Sequence, residues 1–212
     1  MRYRAKNTTP PYALYLNGLE RTHTGTFEKL LAKYFRLWGV FFKHLSVDWH
    51  TGKSFQVLLD DATNEAEKIL HQHRKLVLIG ASAGGSLAVS VFARLRSKYP
   101  GADIYVIVLS GRLHVGDSDN LIHTALHRPG KKPSLAFIDS VHYCERKVLS
   151  RLTQADKRRM VTFRPLLFDE AVPLSTMGIH GVTMLIAPIF YHVPGIVVAA
   201  LRVPRTIRNR CP

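Results

Sequence analysis

Residues 80–85, Gly-Ala-Ser-Ala-Gly-Gly, set a single hydroxyl among side chains no larger than a methyl group. A chain turns sharply only where Cβ atoms do not collide, and small residues on both sides of Ser82 remove that obstacle. The hydroxyl would stand clear of the turn, placed to attack a carbonyl carbon. The Ala83 N–H and the positive end of a following helix would face the oxyanion that develops. Such chemistry needs a strand before the serine and a helix after it. Leu76, Val77, Leu78 and Ile79 form an unbroken apolar run suited to a strand buried on both faces, and Leu87, Val91, Phe92 and Leu95 recur at helical spacing. Two other readings stand beside this one. Ser82 could merely cap the helix, or the glycines could form a dinucleotide turn, although Ser82 occupies the place of the glycine that lets a pyrophosphate approach.

In this context Gly80-x-Ser82-x-Gly84 resembles the nucleophile elbow of the α/β-hydrolase family. The resemblance implies a three-layer α/β/α sandwich with a mostly parallel sheet of about six strands, lacking the antiparallel pair that opens larger members. It also implies a serine hydrolase of esterase, lipase or thioesterase type, cleaving a carboxylic ester or thioester through an acyl-enzyme on Ser82, with no cofactor. A serine hydroxyl is a weak nucleophile, so it needs a base, and the base needs an acid to fix its tautomer. The family supplies them in the order Ser, Asp or Glu, His, each beyond a strand's C-terminal end. By that resemblance Asp169 is the acid, since it follows Arg164-Pro-Leu-Leu-Phe168 and precedes Val172-Pro173 as in the family's acid loop. Glu170, Asp117 and Asp119 are alternative acids, and capping a helix ahead of Leu174 is the non-catalytic role for Asp169. His192, at the end of the apolar run 182–191, is the base the resemblance implies, with His180 and His142 as alternatives and a buried structural histidine as the bland one. The backbone of Gly18 and Leu19, after the first strand, would join Ala83 in the oxyanion hole. Residues 111–133 would take the place of a short lid.

The elements that must position these groups alternate along the chain. Tyr12–Asn17 reads as a strand entered from Pro10-Pro11, residues 26–37 as a helix ended by Gly39, residues 40–47 as a strand, and residues 55–73 as a helix leading into the serine's strand. Tyr99-Pro100-Gly101 stops the next helix before a strand at 104–109. After the irregular stretch 111–133, which holds a short helical pattern at 120–127, residues 134–159 read as helical with a break near Thr153. A strand at 162–168, a short helix at 174–180, a strand at 182–190 and a helix at 193–203 complete the order. Repeated strand–helix alternation calls for right-handed crossovers and a parallel sheet, and for one α/β domain over residues 1–212 with loose termini.

Composition bounds the partners. The 212 residues, 46% hydrophobic, suffice for a full core. Thirty Lys and Arg against 15 Asp and Glu give a net charge of +15, which attracts anionic substrates or anionic surfaces. No aromatic platform is interleaved with the basic clusters, so nucleic acid is not the expected partner; a small-molecule or lipid-like acyl substrate is. Cys144 and Cys211 lie far apart and no h-region follows the first charges, which reads as a cytoplasmic protein with free thiols. His71/His73 and His123/His127 lack the further ligands of a zinc site, so no metal is expected. Residues 182–201 carry no charged side chain and are long enough to span a bilayer, but Pro188, His192, Pro194 and Gly195 interrupt them, and a strand, turn and helix fit better. The function class opposed to the hydrolase is a non-catalytic protein that kept the fold and uses its basic surface to bind an anionic partner.

Overall fold

The computed structural model describes residues 10–19, 25–116, 134–165, 174–187 and 192–210. Its strands are β1 Tyr12–Leu16, β2 Phe41–Leu45, β3 Lys75–Ala81, β4 Asp103–Leu109, β5 Met160–Pro165 and β6 Thr183–Ala187. They form one sheet in the order β2-β1-β3-β4-β5-β6, and every neighbouring pair is parallel. Parallel neighbours need crossovers. The helices are α1 Gly25–Leu37, α2 Phe55–Gln72, α3 Gly84–Lys98, α4 Leu135–Tyr143, the short α5 Gln154–Lys157 and α6 His192–Arg210. Register sets Leu16 opposite Gly80 and Gly80 opposite Val108, so β1, β3 and β4 end side by side where Ser82 follows.

β3 explains why its sequence shows no alternation. Leu76 and Leu78 join the core shared with α2, α3 and α4, while Val77 and Ile79 join the core shared with α1 and α6. With both faces covered, every position is apolar, which is the pattern of a central parallel strand.

The sequence expectations need several corrections. The stretch 134–159 is helical with its break at Thr153 as expected, but its helical type changes: α4 runs into a π-helical turn at Cys144–Val148 and a 3-10 turn at Leu149–Arg151 before α5. The break near Thr153 has a local cause. The Thr153 hydroxyl accepts from the Asp156 N–H while the Asp156 carboxylate accepts from the Thr153 N–H, a reciprocal cap that restarts the helix. The segment 174–180 holds only a 3-10 turn, Leu174–Thr176. The closing helix runs on through Pro204 to Arg210, because Val203 and Ile207, four residues apart, both bury against the sheet, so the arginine-rich end is not loose. β5 begins at Met160, two residues earlier than expected, and residues 166–168 lie outside the described residues. The uncharged stretch 182–201 is divided between β6 and α6, and no described helix is long and apolar enough to cross a membrane.

Candidate active site

Ser82 sits at φ +51°, in the left-handed region, directly after β3 and before α3. Two backbone bonds hold it there: its N–H donates to the Leu109 carbonyl at 2.9 Å, and its carbonyl accepts from Gly85 N–H at 2.9 Å. The end of β4 and the first turn of α3 therefore fix the backbone of Ser82 together. α3 is capped at Ala83, with no side-chain cap bond, so Ser82 is not a helix-capping serine. The Ala83 N–H lies at the helix N-terminus, among the donors that have no intrahelical acceptor.

Close backbone approach explains the small residues around it. A Cβ at Gly80 would overlap the Gly84 carbonyl, and one at Gly84 would overlap the Leu16 carbonyl, so strand, turn and helix can meet only without those side chains. Gly18 is brought against the serine itself. A Cβ there would lie 2.8 Å from Ser82 Cβ and 3.3 Å from Ser82 Oγ. The backbone at Gly18 thus borders the hydroxyl from the β1 side, while Ala83 follows it on the α3 side.

A network that the sequence did not reveal holds the Gly18 loop. Buried Asn17 donates through Nδ2 to the Gly18 carbonyl at 2.8 Å and to the Val47 carbonyl at 3.2 Å, and its Oδ1 accepts from Val47 N–H at 2.6 Å. Trp49 Nε1 donates to the Asn17 carbonyl at 3.2 Å, and the Ser134 hydroxyl donates to the Trp49 carbonyl at 2.6 Å. The loops after β1 and β2 and the start of α4 are tied into one unit under the serine. Only the coincidence of an asparagine at a strand's end could have pointed to this.

The segment after β4 is a second such surprise. Ser110 also has a left-handed φ, +48°, and its N–H donates to the Phe163 carbonyl at 2.9 Å. Arg112 is fully buried and donates to the carbonyls of His114 and Val115. His114 Nδ1 meets Glu145 Oε1 at 3.2 Å and its Nε2 meets the Gly178 carbonyl at 2.8 Å, while Glu145 Oε2 accepts from Val115 N–H at 3.0 Å. With both ring nitrogens engaged, His114 ties its own loop to Glu145 and to the Gly178 segment ahead of β6.

Of the remaining candidates, Asp169, Glu170, Asp117 and Asp119 lie outside the described residues, as does most of the lid segment, 117–133. His192 opens α6 just beyond β6, with its side chain outside what is described. His180 is exposed and precedes β6, at the opposite end of the sheet from Ser82. His142 lies on α4 with a buried, unpartnered Nδ1. Among the described residues no cluster of His, Cys, Asp or Glu could hold a metal ion. Burial pushes the Cys144 thiol up, away from thiolate chemistry.

Solved structures share this architecture. The esterase domain of a Rhodothermus marinus protein superposes with TM-score 0.59 at 15% identity, over 97% of this chain and 90% of its own. A Pyrobaculum calidifontis esterase gives TM-score 0.61 at 14% identity, over 96% and 78%. EstE1, a thermostable carboxylesterase cloned from a metagenomic library, gives 0.59 at 15%, over 98% and 82%. The chain has the α/β-hydrolase fold. Ser82 lies in the turn between β3 and α3 of that fold. Among curated sequences, phytyl ester synthase 2, chloroplastic, of Arabidopsis thaliana is 30% identical over 115 residues, which is 53% of this chain and 15% of that protein. No protein-family profile matches the chain.

Proposed function

We propose that this chain is a serine hydrolase of one α/β-hydrolase domain, acting on a carboxylic ester or thioester. The observation that supports the proposal is Ser82 at φ +51°, in the turn between β3 and α3, with the Gly18 backbone against its hydroxyl. In the proposed reaction Ser82 Oγ bonds to the acyl carbon as His192 takes the hydroxyl proton. The oxyanion is met by N–H groups at Ala83 and at Gly18 or Leu19. As the tetrahedral intermediate collapses, the ester C–O bond or the thioester C–S bond breaks, and the leaving alkoxide or thiolate takes the proton from His192. Water, deprotonated by the same histidine, then attacks the acyl carbon, the bond to Ser82 Oγ breaks, and Oγ takes the proton back from His192 as the acid leaves. Asp169 would hold the imidazole in the right tautomer and stabilise its cation.

The relative called a phytyl ester synthase supports an acyl substrate, and it extends the proposal to transfer of the same acyl group to an alcohol in place of water. The +15 charge favours an anionic ester, or an ester presented at an anionic surface, over a cationic one.

Replacement of Ser82 by Ala tests the proposal. Turnover of a short p-nitrophenyl ester should fall on the order of a thousandfold or more with the thermal melt preserved, and a fluorophosphonate should label the wild type stoichiometrically at Ser82. A folded wild type that is inert to the probe would favour the non-catalytic binding protein.

A further inference from the structure

The two helical layers differ in charge. In the layer built from α2 and α3, acids meet bases: Asp60 pairs with Arg94, Asp61 with Lys53 at 3.1 Å, and Glu67 with Lys98 at 2.8 Å, while Glu65 reaches Lys43 on β2 at 2.5 Å. In the other layer α1 exposes Lys29, Lys33 and Arg36, and α6 exposes Arg202, Arg205 and Arg208. Among the described residues none of these six forms an ion pair. α1 and α6 are neighbours, since the Tyr34 hydroxyl donates to the Leu201 carbonyl at 2.8 Å. α1 and α6 thus bring these six cations onto the same side of the sheet.

That face is also apolar where a solvated surface would not be. Leu30 is 60% exposed and Leu37 85%, and with Tyr34 they lie on one helical stripe, beside Leu201 at 45%. Trp38, at the end of α1, is half-buried and packs edge-on to Tyr34. On the far side of α6, Arg202, Arg205, Thr206 and Asn209 line a cleft of about 500 Å³ floored by Phe163 and Leu185. Two guanidinium groups, a hydroxyl and an amide over an apolar floor match a phosphate attached to hydrocarbon.

We infer that the α1–α6 face docks this protein on an anionic phospholipid surface, with the arginines of α6 at the phosphates and Leu30, Leu37 and Trp38 in the acyl boundary. Cations among exposed leucines suit a lipid interface, where both are favourable. A nucleic-acid strand would use the cations and leave the leucines in water. The inference rests on the charge and polarity of one face and not on the ester chemistry, so a soluble-ester assay and a lipid assay fail independently.

The test is partition of the full chain onto vesicles of phosphatidylcholine with and without phosphatidylglycerol, read by co-sedimentation and by the blue shift of Trp38 emission. The expected result is binding to phosphatidylglycerol vesicles alone, weakened by salt. Joint replacement of Arg202, Arg205 and Arg208 by Gln should weaken it on the order of a hundredfold, at roughly fivefold per cation. L30Q/L37Q, at positions too exposed to threaten the fold, should weaken binding and remove the blue shift while soluble-ester turnover and the thermal melt stay at wild-type values. Absence of binding, equal binding to pure phosphatidylcholine, or indifference to the leucine changes would overturn the inference. If an oligonucleotide binds with the same arginine dependence and no leucine dependence, the face belongs to nucleic acid. Should the arginine variant not fold, the leucine variant decides alone.

Discussion

Gly18→Ala is the substitution that most directly probes the proposed oxyanion site. The new methyl carbon would lie 2.8 Å from Ser82 Cβ and 3.3 Å from both Ser82 Oγ and the Ala81 carbonyl. Carbon atoms rest at about 3.5–4.0 Å, so the gap to Ser82 must open by roughly 0.7–1.2 Å. Ser82 cannot supply that movement, since its N–H is bound to Leu109 and its carbonyl to Gly85. The loop after β1 has to move instead, carrying the Gly18 and Leu19 N–H groups about 1 Å from the position where the oxyanion forms. A displacement of that size costs about a hundredfold in rate, near what loss of one oxyanion donor costs. The overpacking should also lower stability by about 1–3 kcal/mol. Steady-state hydrolysis of a p-nitrophenyl ester should show kcat down about a hundredfold with little change in KM, on protein shown to be folded by circular dichroism. A folded variant with wild-type kcat would refute the placement of the oxyanion donors on this loop.

Two further outcomes follow from the described contacts. Asn17→Ala removes the amide that joins the Gly18 and Val47 loops and leaves buried backbone groups without partners, so urea unfolding should show a loss of about 2–3 kcal/mol, together with a lower kcat. At Asp156, burial alone would push the carboxyl up, but the hydrogen bonds from Thr153 and Arg96 outweigh it and hold the pKa below the ordinary value. A depressed carboxyl contributes stability above its unfolded pKa, about 4, and loses it as the pH falls through the lower folded value. The gap in melting temperature between wild type and Asp156→Asn should therefore be present at neutral pH and close in acid. A gap that persists unchanged at pH 2 would contradict the assignment.

How much of this was legible beforehand depended on range. The turn at Ser82 could be read because its cause is local: an apolar run, then residues without side chains, then a helical repeat, all within 24 residues. The alternation that gives the parallel sheet has the same local character, so the six strands and the fold class follow from it. Boundaries failed where long-range packing decides. α6 continues through Pro204 because Ile207 finds the sheet, and no local signal overrides a proline. The site's supports were invisible for the same reason. Asn17 and Val47 are 30 residues apart, and His114 and Glu145 are 31 apart, so nothing but the folded chain pairs them. Asp169 and His192 came from the resemblance, and they remain part of the proposed reaction.

The left-handed backbone at Ser82 has an energetic meaning of its own. A residue with a Cβ held at φ near +51° costs on the order of 1–2 kcal/mol relative to an ordinary conformation, a penalty glycine escapes. Against a net folding free energy of about 5–15 kcal/mol for a whole domain, that is a sizeable fraction held at a single position. Glycine already flanks the turn at 80, 84 and 85, so the relaxed alternative lies one substitution away, and a chain with no use for the hydroxyl would be steadier for taking it. Ser82 thus stores energy that the stability of the fold does not explain.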